Sequence, residues 1–142
     1  MKRQAIWNWT ITLLFVLTLS GTGWYYIMLS PQGHILPPDV DGIYLQAEHG
    51  LFAYGTLTSP IVRKIVLGQS VPAEPATLDG FSRQGLNLVE TPGEHVVGKY
   101  FQVKGHQLRR LDRYERLGSR YYRKLYTLSD GRLAWVYFRT VD

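Results

Sequence analysis

The sequence has no cysteine. Disulfide staples, thiolate nucleophiles and cysteine-bearing zinc sites are thereby excluded, although the absence does not identify a compartment. Its histidines, His34, His49, His95 and His106, show no metal-ligand spacing. There is no Gly-x-Ser-x-Gly elbow, and no glycine-rich loop ending in Lys-Ser or Lys-Thr. Internal repeats and low-complexity tracts are lacking too. Charged residues are 19% of the chain and hydrophobic ones 45%, a composition that folds. One domain with at most one appendage fits the length of 142 residues. The net charge is +5, but Lys2 and Arg3 precede a long uncharged stretch, leaving +3 on residues 31–142. So mild an excess does not by itself imply nucleic acid. The basic, aromatic run Arg109–Lys124 reads as a solvated face, or as one that steers lipid head groups or an acidic substrate, ahead of a nucleic-acid groove.

Between Ala5 and Leu29 no side chain is charged. The strongly apolar part is Ile11–Leu19, with Trp7 and Trp9 before it and Trp24, Tyr25 and Tyr26 after it. About 20 apolar helical residues cross a ~30 Å hydrocarbon core, and amphipathic rings favour its two interfaces. Residues 1–29 are therefore expected to be a transmembrane anchor. Lys2 and Arg3 place the N-terminus in the cytoplasm and the domain outside. The rival reading is a cleaved signal peptide with Ser20-Gly21-Thr22 as its cleavage zone, giving a secreted or periplasmic domain. Pro31, Gly33, Pro37 and Pro38 mark residues 30–42 as an extended linker.

Residues 43–142 read as the folded domain. Leu51–Tyr54 is expected as a short strand ending at Gly55. Ser59-Pro60 opens a helix that carries Ile61, Val62, Ile65 and Val66, and Gly68 closes it. Thr77–Leu88 is expected as one or two strands broken at Gly80 and Gly85, Pro92-Gly93 as a turn, and His95–Val103 as a strand. A second helix is expected over His106–Arg116. Tyr121–Leu128 and Arg132–Thr140 pair through Asp130-Gly131. Leu133–Phe138 is apolar on both faces, which suits a strand between a barrel interior and a helix. Strands with two inserted helices, and no regular βαβ alternation, point to an α+β fold with a small barrel-like mixed sheet.

Two stretches carry chemistry. In His106–Arg116, helical spacing puts Leu108, Leu111 and Glu115 on one face and Arg109, Arg113 and Arg116 on another. Two readings of Glu115 stand. It is a boundary carboxylate paired with a nearby arginine, or a desolvated one with raised proton affinity, suited to proton transfer. Asp112 is expected to brace the helix by pairing with Arg116 at i+4. In Leu51–Pro60 a strand ends in Gly55 and a helix starts soon after. Free N–H groups there suit an anionic or oxyanionic group, although most such junctions bind nothing.

Together these stretches resemble the gamma-glutamylcyclotransferase-like superfamily. Leu51-Phe-Ala-Tyr-Gly-Thr-Leu57 is similar to its Tyr-Gly-Ser/Thr-Leu signature, and Leu111-Asp-Arg-Tyr-Glu115 to its Leu-Asp-x-aromatic-Glu signature. Ala76–Arg83, Val96–Phe101, Tyr121-Tyr122-Arg123 and Trp135-Val136-Tyr137 resemble its other strands, in order. The Thr56-Leu57 form of the loop resembles the gamma-glutamylamine cyclotransferase type. The resemblance implies a small mixed β-barrel flanked by helices. It implies release of 5-oxoproline and a free amine from a gamma-glutamyl amine or peptide, without cofactor or metal. Glu115 would be general base and then acid, and Tyr54, Gly55, Thr56, Leu57 and Tyr121 would bind substrate. A catalytically inactive, membrane-attached ligand-binding or interaction module of the same fold is the alternative. Two features depart from the pattern. Arg116-Leu117-Gly118 follow Glu115 where many relatives have Gly directly, and the N-terminal segment lies outside the family.

Overall fold

The computed structural model describes residues 2–28 and 34–140, without the side chains of 2–10, 24 and 26–28. Helix α1, Lys2–Met28, carries the uncharged segment. Among the described residues no helix is long and apolar enough to cross a membrane. Ile11–Leu19 supplies only ~13 Å of helix against a ~30 Å hydrocarbon core, and Ser20, Gly21, Thr22 and Gly23 follow it. The expected transmembrane anchor, and the single-pass placement built on it, therefore find no support in the structure. Residues 29–33, which close the expected anchor and open the expected linker with Pro31 and Gly33, lie outside the described residues. From His34 onward the chain lies against the domain. His34 Nε2 donates to Leu117 O at 2.8 Å. A 3₁₀ segment over Pro38–Leu45 follows, and Leu36, Val40, Ile43 and Tyr44 pack on the core.

Five strands form one mixed sheet: β1 (His49–Ala53), β2 (Glu74–Gln84), β3 (Asn87–Val103), β4 (Tyr121–Thr127) and β5 (Leu133–Arg139). Their order is β2-β3-β1-β5-β4. The central β1 is antiparallel to β3 and parallel to β5, while β2–β3 and β4–β5 are antiparallel hairpins. Period-two alternation sends Leu51 and Ala53 to one face, Phe52 and Tyr54 to the other. The first face packs on helices α2 (Pro60–Leu67) and α3 (Gly105–Tyr114) through Val66, Leu67, Leu108 and Leu111. The second face gathers Leu78, Phe81, Val96, Val136 and Phe138. Strand β5 serves both cores, which accounts for its two-sided apolar sequence. Ala134, Val136 and Phe138 join the second cluster, while Trp135 and Tyr137 pack with the helices.

The sheet curls into a half-barrel. The turn after β4 reaches β2, where Ser129 N and Oγ both donate to Thr77 O at 3.0 Å. Phe81 on β2 meets Tyr126 on β4 edge-on, with ring centroids 5.2 Å apart. The turn's hydrogen bonds and the ring contact thus draw the two edge strands together without a ladder between them.

One expected turn is a bulge. β3 runs through Pro92-Gly93, and its pairing passes from Phe81↔Glu90 to Asp79↔His95, so residues 91–94 sit opposite Gly80. A proline without an N–H and a Gly93 at φ 86° suit a bulge as well as a reversal. The reversal falls at Gly85-Leu86 instead. Gly98 lets β3 lie on β1. A Cβ there would stand 2.3 Å from Ala53 O and 2.7 Å from the Phe52 ring. This close approach fixes the end of β1, from which the candidate site begins.

Candidate active site

Beyond β1 the chain makes a 3₁₀ turn over Thr56–Thr58. Thr58 N and Oγ1 donate to Gly55 O at 3.1 and 2.7 Å, and Ser59 N donates to Thr56 O at 3.1 Å. The amides of Thr56 and Leu57 open the turn, so they have no intrahelical acceptor. The carbonyls are claimed from elsewhere. Arg63 Nη1 donates to Leu57 O and to Thr58 O, each at 2.9 Å. Arg83 Nη1 donates to Tyr54 O at 2.7 Å. Arg63 is buried and its guanidinium lies 5.5 Å from the Phe101 ring centroid. Apolar spacing on α2 favours Ile61 for that inward place, yet Ile61 is exposed. The turn's carbonyls need a donor beneath them, and an alkyl side chain has none.

Helix α3 docks as its spacing predicts, with Leu108 and Leu111 wholly buried. It ends at Tyr114, two residues earlier than expected, and Glu115 is its C-cap. The Glu115 N–H donates to Leu111 O at 2.8 Å. Arg116 then takes φ 53°, the left-handed region that favours glycine. That backbone turn sits at the position where the resemblance expects glycine. Burial pushes the Glu115 carboxyl up from its ordinary 4.5 to about 7; Arg120 opposes the rise and the charge of Asp112 adds to it. The negative end of α3 works in the same direction. Among the described residues, no hydrogen bond or salt bridge holds this carboxylate. The reading of Glu115 as one half of an arginine pair is therefore set aside.

Asp112 does not brace Arg116. Its carboxylate is fully buried, and Arg123 Nε and Nη2 donate to it at 2.9 and 3.0 Å. Tyr44 OH donates at 2.6 Å and Tyr137 OH at 2.5 Å. Arg123 also lies 4.3 Å from the Trp135 ring centroid. Burial and the adjacent Asp112 charge push the Tyr44 and Tyr137 hydroxyls up, so both remain protonated donors. One carboxylate thus ties the Pro38–Leu45 segment, α3, β4 and β5 together, one turn from Glu115. Spacing along the helix suggests only the Arg116 partner. The actual donors come from other elements.

Glu115 and the turn meet at one cavity of about 550 Å³. Tyr54, Gly55, Thr56, Leu57 and Tyr121 line it together with Glu115. The Tyr54 hydroxyl is already engaged, donating to Tyr137 O at 2.7 Å, so Tyr54 serves as wall. Burial and the nearby Glu115 push the Tyr121 hydroxyl up as well. The lining also includes residues that the sequence reading does not single out: Val62 and Ile65 of α2, Leu86 of the β2–β3 turn, Tyr114 and Arg120. Tyr114 OH lies 3.2 Å from Thr56 Oγ1 and links α3 to the turn. Its place in the Leu-Asp-x-aromatic-Glu signature was a usable signal. Arg120 is hidden among many arginines, and Leu86 has no signal beyond an exposed apolar residue in a turn. Among the described residues, no group of three or more His, Asp or Glu side chains is placed to hold a metal ion.

The family described as gamma-glutamyl cyclotransferase, AIG2-like, matches residues 51–141. No curated protein shows significant similarity to the chain. Among solved structures, an Arabidopsis thaliana protein solved in solution is 25% identical, with 66% of this chain and 70% of that one covered and a TM-score of 0.57. A second Arabidopsis thaliana protein is 24% identical over 67% of this chain, with a TM-score of 0.53, and the match spans only 62% of that protein's length. A protein titled gamma-glutamyl cyclotransferase is 17% identical, with 66% and 67% covered and a TM-score of 0.57. These likenesses show a shared α+β fold with a curled half-barrel sheet. With the match running from β1 past β5, the chain belongs to the gamma-glutamyl cyclotransferase, AIG2-like family.

Proposed function

We propose that this protein releases 5-oxoproline and a free amine from a gamma-glutamyl amine or peptide, with Glu115 carrying the proton. The observation that supports this most is the shared cavity: an unpaired carboxylate near neutrality faces the same space as the Gly55–Leu57 turn. In this reading Glu115 takes a proton from the substrate's α-ammonium. The freed amine attacks the γ-carbonyl carbon of the same molecule and closes a five-membered lactam. The γ-oxygen carries the developing negative charge, which the turn's amides stabilise. The ring nitrogen sheds its second proton to solvent, the intermediate collapses, the bond to the departing amine breaks, and Glu115 returns its proton to that nitrogen. Ring closure is intramolecular, so holding the substrate folded supplies much of the rate. The walls of Val62, Ile65 and Leu86, with the Thr56-Leu57 form of the turn, favour an amine over a polar peptide as leaving group.

The test is 5-oxoproline release from a panel of gamma-glutamyl amines and peptides by wild type and Glu115→Gln. Wild type should release it and the variant should be slower by roughly 100-fold or more. Equal release by both would remove Glu115 from the reaction.

A further inference from the structure

We infer that Arg120 binds the α-carboxylate of the glutamyl group, leaving the amides of the Gly55–Leu57 turn to the γ-carbonyl oxygen. This rests on the cyclotransferase reading above. Every gamma-glutamyl amide carries one unavoidable negative charge, its α-carboxylate. Among the described residues that line the cavity, Arg120 is the one with a positive side chain. Among the described residues its guanidinium has no salt bridge and no side-chain hydrogen bond. Arg63, Arg83 and Arg123 are by contrast engaged by carbonyls or by Asp112. The Arg120 backbone is held on both sides. Its N–H donates to Arg116 O at 3.0 Å, and its carbonyl accepts from Thr140 N at 2.9 Å. Arg120 is therefore a placed cation with unused donors.

The substrate's own bonding brings the carboxylate to it. The attacking amine and the α-carboxylate share one carbon. A group that takes the amine's proton must therefore stand beside the group that binds the carboxylate. Glu115 and Arg120 line the same cavity, and the Arg120 charge acts on Glu115. A carboxylate entering next to an ionised Glu115 is repelled unless a cation offsets it. Guanidinium matches a carboxylate with two parallel N–H donors. The oxyanion arises at the γ-carbon, where neutral amide dipoles suffice.

The test uses the full chain and two lactams that differ only in the carboxylate, 5-oxoproline and 2-pyrrolidinone. Binding is read by calorimetry, so turnover is not needed. Wild type should bind 5-oxoproline roughly 10- to 100-fold more tightly than 2-pyrrolidinone. Arg120→Ala should bind both alike, and Arg120→Lys should recover part of the preference. Arg120 is exposed, and an unchanged unfolding midpoint would verify that the variants fold. A preference that survives in Arg120→Ala, or its absence from wild type, overturns the inference. In a kinetic arm, Arg120→Ala should slow release from a gamma-glutamyl amide by a factor at least about 10-fold larger than it slows release from the matching 4-aminobutanoyl amide, which feels only the loss of the Arg120 charge beside Glu115. Loss on both amides alike would also overturn it. Arg120-dependent binding of 5-oxoproline, with no release from any gamma-glutamyl amide, would sink the cyclotransferase reading and leave the carboxylate site standing.

Discussion

Glu115→Gln removes one ionisation and keeps the side chain's shape, so it isolates what burying that carboxyl does to the fold. The ordinary value of 4.5 and the folded value of about 7 set the size of the effect. That displacement corresponds to roughly 3 kcal/mol against the ionised form. Partial solvent contact at Glu115 trims it to about 1–3 kcal/mol. The sign follows from proton binding. Between about pH 4.5 and 7 the folded chain keeps a proton on Glu115 that the unfolded chain has released. The folded state binds more protons there, so wild-type stability falls as pH rises through this window and levels off above it. Glu115→Gln carries no such group. Urea unfolding of both proteins should give equal stabilities near pH 4.5, and a variant about 1–3 kcal/mol more stable near pH 8. Contributions from other titrating groups cancel in the difference. A gap that does not change with pH, or a variant less stable near pH 8, would refute the reasoning. It would mean that Glu115 is ionised and held by a partner.

Three further outcomes are expected. The kcat/KM for a gamma-glutamyl amine should rise with pH through about 7, because the free enzyme's Glu115 must be ionised to act as base; an acid limb in the ordinary carboxylate range would contradict this. Asp112→Asn should cost about 3–5 kcal/mol in urea unfolding, since it leaves the buried Arg123 guanidinium without its counter-charge. A loss under about 1 kcal/mol would mean that water reaches that network. Gly98→Ala should lower stability by about 1–3 kcal/mol or more, because the added Cβ meets the Ala53 carbonyl; an unchanged thermal midpoint would show that β3 can retreat from β1.

Much of the domain is legible in local patterns. The apolar runs Leu51–Tyr54 and Leu133–Phe138 read as strands, the second of them apolar on both faces, and both strands pack on two sides. Helical spacing joins Glu115 to Leu108 and Leu111, and α3 docks on that side. Gly68 ends α2 with φ 78°, as a closing glycine should. Other features depend on neighbours that are distant in sequence. Pro92-Gly93 carries the same local chemistry in a turn and in a bulge, and pairing with β2 around Gly80 decides between them. Arg63 looks like a surface residue until the carbonyls of Leu57 and Thr58 require its donors. The uncharged N-terminal stretch does form a helix, but its apolar part is shorter than its freedom from charge suggests.

By itself, then, the sequence determined the strand and helix types, the inward face of α3 and the family signatures, since side-chain period is a property of local backbone geometry. The tertiary structure decided the rest. It moved Asp112 from a helix brace to the centre of a buried network, brought the Gly55–Leu57 turn and Arg120 to the cavity of Glu115, and made that carboxyl hold its proton to near neutrality. Those properties depend on desolvation and on charges supplied by other elements, and neither is written in the spacing of residues along one helix.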